Sequence, residues 1–420
     1  MEKNGNDDNS IKIIESCYIV DSYSSQRKKE NSIKFNNSYE IIEFIKIIGN
    51  HKYQADFIYE FKNLLISGGT DNNLIIYNQK YNIIYNEKIK DSICNVIELY
   101  LGKDNKNFVI LICTKSNLKI LDYNILTKNY FIAMKEVLYE KEIYMCLSCI
   151  NYIKDYNILC TKEGIFIINN LNNKIINIKE KKIMNKSYRA GIQINNKIYA
   201  FTSNSASKNG EDKIIFYNII SDKFFHEIKN YSFILSSNGL YLIKNKEELN
   251  GNILLCACKK YMKGQKNGIL LINLINSNID MGISNYFYDT KNFEVYCFCP
   301  ILIVKNNNKI IGVDYIDKEY KNNIEIEDTK FFFVSAFDDK KREGIIKLYK
   351  IIIPDKIENT KIKFLQNIEI DNKEDFKGFE GQIKSMIQSR ITGNIIVTCA
   401  NGKIYLFTQP NLSLYLNRYK

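Results

Sequence analysis

From Tyr39 onward, short apolar runs of about four to eight residues alternate with clusters of Asn, Gly, Asp and Lys. Helical spacing at i, i+3 and i+4 is nearly absent, and Val137 to Ile143 is the one weak helix candidate. Parallel α/β architecture needs helical crossovers between its strands, so the pattern predicts an all-β chain. Residues 1–38 read as a poorly ordered, flexible N-terminal arm: Gln26 to Asn31 is a charged, polar run without periodicity, and Ile11 to Val20 is one short strand candidate.

The strand pattern repeats. A turn followed by an apolar strand, usually ending in Asn or Asp, occurs as Asn73-Leu-Ile-Ile-Tyr77-Asn78 and as Asn117-Leu-Lys-Ile-Leu121-Asp122. It returns at Gly164 to Asn169, Lys213 to Asn218, Gly268 to Asn273, Gly344 to Lys350 and Gly402 to Thr408. Most steps between these phrases fall between about 40 and 60 residues, near the length of a four-stranded propeller blade. The longest step contains Ile301 to Asp328, read as an insertion. A strand precedes each phrase, another precedes that one, and a fourth often follows, as at Lys174 to Lys179 and Lys223 to Ile228. Four strands repeated seven times predict a seven-bladed β-propeller over residues 39–410, followed by a short tail at 411–420.

Two units carry motifs. The first has Gly49-Asn50-His51, then Ser67-Gly68-Gly69-Thr70-Asp71-Asn72-Asn73, then Tyr77-Asn78. These resemble the Gly-His opening, the Ser-Gly-Ser-x-Asp-Gly-Thr turn and the closing Trp-Asp of a WD repeat. The last has Gly378 to Met386, Thr392-Gly393-Asn394, Asn401-Gly402 and Phe407-Thr408 in the corresponding places. The chain thus resembles a WD-repeat-like propeller whose repeats are degenerate, since it has no Trp. The resemblance implies a hydrogen-bonded structural group within the first blade, formed here by His51, Ser67, Asp71 and Tyr77. It also implies ring closure by an N-terminal strand, for which Ile41 to Ile47 is the candidate, beside Lys403 to Phe407. Closure removes an exposed sheet edge.

Charge changes the picture only a little. The net charge is +12, and the excess is nearly all Lys, since Arg occurs only at positions 27, 189, 342, 390 and 418. Lys is a point charge, whereas Arg forks onto phosphate. The denser clusters are Lys179, Lys181, Lys182 and Lys186; Lys259, Lys260, Lys263 and Lys266; and Lys340, Lys341 and Arg342. They read as solvated surface. An adjacent Arg pair, which marks phosphoinositide-binding propellers, is missing; Ser187-Tyr188-Arg189-Ala190-Gly191 comes nearest. The paired glycine Gly68-Gly69 occurs once, against the recurrent pairs of a Kelch propeller. The start, Met1 to Ser10, is polar and acidic, which predicts no signal peptide. No apolar run is long enough to span a membrane. The 11 Cys are scattered within apolar runs, which predicts reduced thiols and a cytoplasmic, or else nuclear, protein.

Candidate chemistry is sparse. With only His51 and His226, a His-based triad or a His-rich zinc site is nearly excluded. His226 reads as surface packing on an outer strand. The sulfurs of Cys146 and Cys149 would point to opposite faces of a strand. Cys256 with Cys258, and Cys297 with Cys299, share a face but read as core thiols. No metal, cofactor or catalytic residue is expected. The sequence therefore predicts a non-catalytic scaffold that binds other proteins within a macromolecular complex. Its contact loops would be Asn204 to Asp212, Lys259 to Asn267, Asn306 to Asp328 and Phe337 to Glu343. The alternative is a Lys-rich surface for anionic membrane lipid or nucleic acid.

Overall fold

A computed structural model describes residues 41–61, 64–89, 93–101, 107–114, 118–123, 132–137, 143–147, 156–161, 165–169, 178–181, 187–195, 197–204, 213–218, 221, 223–229, 231, 239–244, 251–260, 265–275, 282–304, 309–310, 326–353, 359–368, 370, 376–410, 412 and 416. The expectation for the arm at 1–38 lies outside them.

The chain opens with β1 (Glu43–Asn50) and then builds sheets in succession. Sheet 1 is β2 (Ala55–Phe61), β3 (Leu64–Gly69), β4 (Asn73–Tyr77) and β5 (Ile83–Lys88). Sheet 2 is β6 (Ile93–Leu101), β7 (Asn107–Thr114), β8 (Leu118–Tyr123) and β9 (Ile132–Val137). Sheet 3 is β10 (Ile143–Leu147), β11 (Tyr156–Thr161), β12 (Ile165–Asn169) and β13 (Ile178–Lys181). Sheet 4 is β14 (Ser187–Gln193), β15 (Ile198–Asn204), β16 (Lys213–Asn218) and β17 (Lys223–Ile228). Sheet 5 is β18 (Leu240–Lys244), β19 (Gly251–Cys258), β20 (Asn267–Ile275) and β21 (Gly282–Lys291). Sheet 6 has β22 (Phe293–Val304), β23 (Lys309–Ile310), β24 (Ile326–Asp338), β25 (Glu343–Ile352), β26 (Lys361–Asn367) and β27 (Phe379–Glu380). Sheet 7 is β28 (Ile383–Gln388), β29 (Ile395–Cys399) and β30 (Lys403–Thr408), completed by β1. Among the described residues there are therefore seven antiparallel sheets.

The first strands of successive sheets pack side by side, and sheet 7 packs back on sheet 1 through β28 and β2. Each sheet is thereby enclosed by two neighbours. This explains the continuous apolar runs: β3 and β29 are buried on both faces along their length. The outer strands β5 and β17 face solvent and carry the polar residues. The core lies between sheets. Leu254, Leu270 and Ile272 join Phe216 between sheets 4 and 5. Phe332, Val334 and Tyr349 meet Leu255 and Leu271 between sheets 5 and 6. The interface of sheets 6 and 7 is aromatic: Phe44, Phe376, Phe379, Tyr405 and Phe407 lie with ring centroids 5.1–6.3 Å apart. Leu412 and Leu416, from the tail, are buried in the same cluster.

Some boundaries differ from the pattern. The strand beside β30 is Glu43–Asn50 and not Ile41 to Ile47, because two register shifts in β1 spread its eight residues along the six of β30. The ends of the helix candidate, Val137 and Ile143, lie in β9 and β10. The described part of the fourth strand of sheet 3 is Ile178–Lys181, with Ile178 opposite Ile168; Lys174 lies outside the described residues. Phe337 to Glu343 is no enlarged loop. Its strands run to Asp338 and resume at Glu343, joined by a tight turn.

At the rim where the first strands end, sheets 7 and 1 are tied by polar groups. Glu60 accepts hydrogen bonds from the Ser389 hydroxyl and, at 2.6 Å, from the Arg390 amide. Tyr81 meets Thr392 at 2.5 Å and accepts from the Asn394 side chain at 3.1 Å. Burial pushes the Glu60 carboxyl up despite these donors.

Phe44 sits on the closing strand and contacts three rings of the aromatic cluster. Phe44→Ala is expected to cost about 3–5 kcal/mol of stability, measured by urea denaturation.

Candidate functional site

The segment from Asn50 to Gln54 crosses from the outer strand of sheet 7 to the first strand of sheet 1. Its backbone is held at both sides. The His51 amide donates to the Gly402 carbonyl at 2.9 Å, and the Thr70 amide donates to Gln54 O at 3.0 Å. The Lys52 amide donates to Asp71 Oδ2 at 2.9 Å. Gly402 has φ +85°, and a Cβ there would lie 2.1 Å from His51 O and 2.3 Å from Tyr53 O. The crossing chain therefore rests directly on the β29–β30 turn, where only glycine fits.

The side chains form a relay. His51 Nδ1 lies 2.9 Å from Asp71 Oδ1, and Nε2 lies 3.0 Å from Ser67 Oγ. Ser67 Oγ is 3.5 Å from the Tyr77 hydroxyl. A carboxylate only accepts, so Nδ1 carries the proton toward Asp71. In a neutral imidazole Nε2 then accepts from Ser67, whose Oγ in turn accepts from Tyr77. Asp71 also takes the amide and side-chain NH₂ of Asn73, at 3.1 and 2.8 Å. Burial would raise the Asp71 carboxyl, but the bonds from His51, Lys52 and Asn73 outweigh it and hold the pKa below the usual value. Burial pushes the Tyr77 phenol up to about 12, so it remains a donor at neutral pH. The Tyr77 hydroxyl fills the space beside Gly49, where a Cβ would lie 2.1 Å away.

Asp, His and Ser in line have the order of a nucleophile relay. Here the serine is wholly buried and His51 is 1% exposed, so a substrate cannot reach Oγ in this conformation. The group acts instead as a clamp on the crossing segment. The product of that clamp is an exposed aromatic: Tyr53 is 56% accessible, with the Lys52 amine 5.5 Å from its ring centroid.

A second constellation lies at the same rim. In six of the seven sheets described, the first strand carries one extra residue just after its start. The extra residues are Asp56, Cys94, Tyr144, Arg189, Tyr296 and Lys384. Such bulges re-aim a side chain. Tyr296 donates to Glu294 at 2.5 Å and accepts from Gln382 at 2.5 Å and Lys259 at 3.3 Å. Lys259 pairs with Glu294 at 2.7 Å. Lys384 donates to Gln382 at 2.9 Å. Burial lowers the Lys384 pKa; Asp56 opposes that shift and Lys259 adds to it. Sheets 5, 6, 7 and 1 thus share one polar network beside the axis. Sequence patterns missed it because a bulge appears only once strands are paired.

The other candidates separate. His226 is exposed on β17, with its ring centroid 6.0 Å from that of Phe216. Cys256 and Cys258 are buried free thiols in the core between sheets 4 and 5. Cys297, Cys299 and Cys399 are buried thiols outside any disulfide, in the core between sheets 6 and 7, and burial pushes Cys297 up to about 12. No group of three or more His, Cys, Asp or Glu suited to a metal ion occurs among the described residues. The side chains of Cys146 and Cys149, the residues Lys182, Lys186 and Lys263, and the middles of the loops after Asn204 and Asn306 lie outside the described residues.

Two outcomes follow. Because the Asp71 pKa is depressed on folding, its contribution is present above the unfolded value, about 3.9, and is lost as pH falls through the folded value. Thermal melts from neutral to acid pH should show a smaller acid loss in Asp71→Asn than in the wild type. Gly402→Ala should cost at least about 2 kcal/mol in urea denaturation, from a left-handed alanine plus a backbone clash.

No family model matches the chain, and no curated protein matches it. Among solved structures it is similar to the β-propeller domain of Cps50 (Swd1) from Myceliophteria thermophila. The TM-score is 0.53 at 7% identity, covering 87% of this chain and 99% of that one. At that identity the likeness concerns architecture alone. Together with the sheet topology, it makes this chain a β-propeller in fold.

Proposed function

We propose that the chain is a non-catalytic protein-interaction scaffold that works within a larger complex and meets its partner at the rim where the first strands begin. The observation that carries this is Tyr53, an open aromatic on a segment clamped by His51, Asp71, Thr70 and Gly402. Tyrosines dominate binding hot spots because a ring contributes much contact area and loses little freedom. A segment already fixed adds little further ordering cost on association. The likeness to another propeller supports the scaffold reading. So does the occupation of the one Asp-His-Ser relay, among the described residues, by internal bonds. The helices among the described residues give no candidate membrane span.

The test is quantitative affinity purification of the full chain and of Tyr53→Ala. Partner retention should fall at least about tenfold in the variant, at unchanged melting temperature, because the side chain is exposed. An unchanged partner profile would overturn the proposal.

A further inference from the structure

The strongest unassigned feature lies on sheets 5 and 6. Phe293, at the start of β22, pairs with Asp338, at the end of β24. The chain before Phe293 and the chain after Asp338 therefore leave the same end of one ladder. The first carries Lys291. The second carries Lys340, Lys341 and Arg342, all exposed. Two stretches 50 residues apart in sequence thus become one basic ridge.

Two of the carboxylates nearby, Asp338 and Asp289, are engaged by backbone amides. Asp338 Oδ1 accepts from the amides of Lys340 and Lys341 at 3.0 and 3.3 Å. Asp289 accepts the Lys291 amide at 2.7 Å and pairs with Lys266 at 3.1 Å. Among the described residues, Lys291, Lys340, Lys341 and Arg342 have no ion-pair partner. The backbone also marks the ridge. Lys291 has φ 57° and Arg342 φ 59°. Such left-handed positions are costly for a residue other than Gly. At both places the costlier residue is a cation.

We propose that this ridge binds an acidic segment of a partner protein. The inference rests on the scaffold reading and adds the chemistry of the partner. Three of the four cations are lysines, and only Arg342 offers a fork for phosphate. Asp339 and Glu343 are interleaved with them and exposed. A nucleic acid carries a charge at every nucleotide step and would meet those carboxylates. A peptide can place its acids opposite the cations and neutral residues opposite the carboxylates.

The probe is a short fluorescein-labelled Asp/Glu-rich peptide, titrated with the full chain in fluorescence anisotropy. The triple reversal K340E/K341E/R342E should weaken binding at least about tenfold, and Lys291→Glu should weaken it by a smaller factor. An equal change in net charge on other turns, K80E/K197E/K223E, should leave affinity within about twofold. All these residues are exposed, so the variants should melt like the wild type. Equal losses from both triple variants, or no peptide binding, would overturn the inference. So would tighter binding of a short RNA or of phosphatidylserine vesicles through the same ridge. If the peptide fails while Tyr53→Ala still releases partners, the acidic ridge falls and the scaffold reading stands.

Discussion

Where burial is described, the middle strands of the sheets are apolar on both faces, and a sheet can bury neither face alone. Closure of the ring is therefore the constraint on which the rest depends. β1 supplies it by pairing with β30, the strand nearly 360 residues away in sequence. Without that pairing, sheet 7 would present the open edge of β30, and Phe44 would leave the aromatic interface it shares with Phe376, Tyr405 and Phe407. Loop-closure entropy over such a distance is a slowly growing cost, and it is offset by apolar burial and cross-strand hydrogen bonds at the seam.

Two polar ties hold the seam, one at each rim, and they follow opposite electrostatic logic. The Asp71 carboxylate collects donors from His51, Lys52 and Asn73, which keep it charged. The Glu60 carboxyl is pushed the other way by burial, although Ser389 and Arg390 donate to it. The first tie also organises a surface. It fixes the crossing segment flat against Gly402, and that segment presents Lys52 and Tyr53 to solvent. The bond network that closes the ring is thus the network that shapes one part of the rim. Tyr77 fits within it: the phenol reaches Ser67 and fills the space left by Gly49.

The extra residue near the start of most first strands has a related consequence. It breaks the alternation of side chains at the same height in sheet after sheet, so dissimilar residues such as Asp56, Tyr296 and Lys384 come to the axis together. Tyr296 then links groups from sheets 5, 6 and 7 through one hydroxyl. A repeat architecture with divergent sequence can in this way build a local polar site from residues that no single repeat contains.

The strand content, the repeated step and the absence of helical crossovers are legible in the amino-acid sequence. Their cause is local: a strand enclosed on both sides must be a continuous apolar run, and its turns must be Asn, Gly or Asp. The spacing of His51, Ser67, Asp71 and Tyr77 is legible for the same reason, as a motif within one unit. Tertiary structure alone decided how those groups bond to one another, since that depends on how the crossing segment packs on sheet 1. It alone brought Tyr296 to Gln382 and Lys384, and Lys291 to Lys340. Those neighbours are set by register and by the order of sheets around the axis, and neither leaves a trace in the composition of the segments that meet.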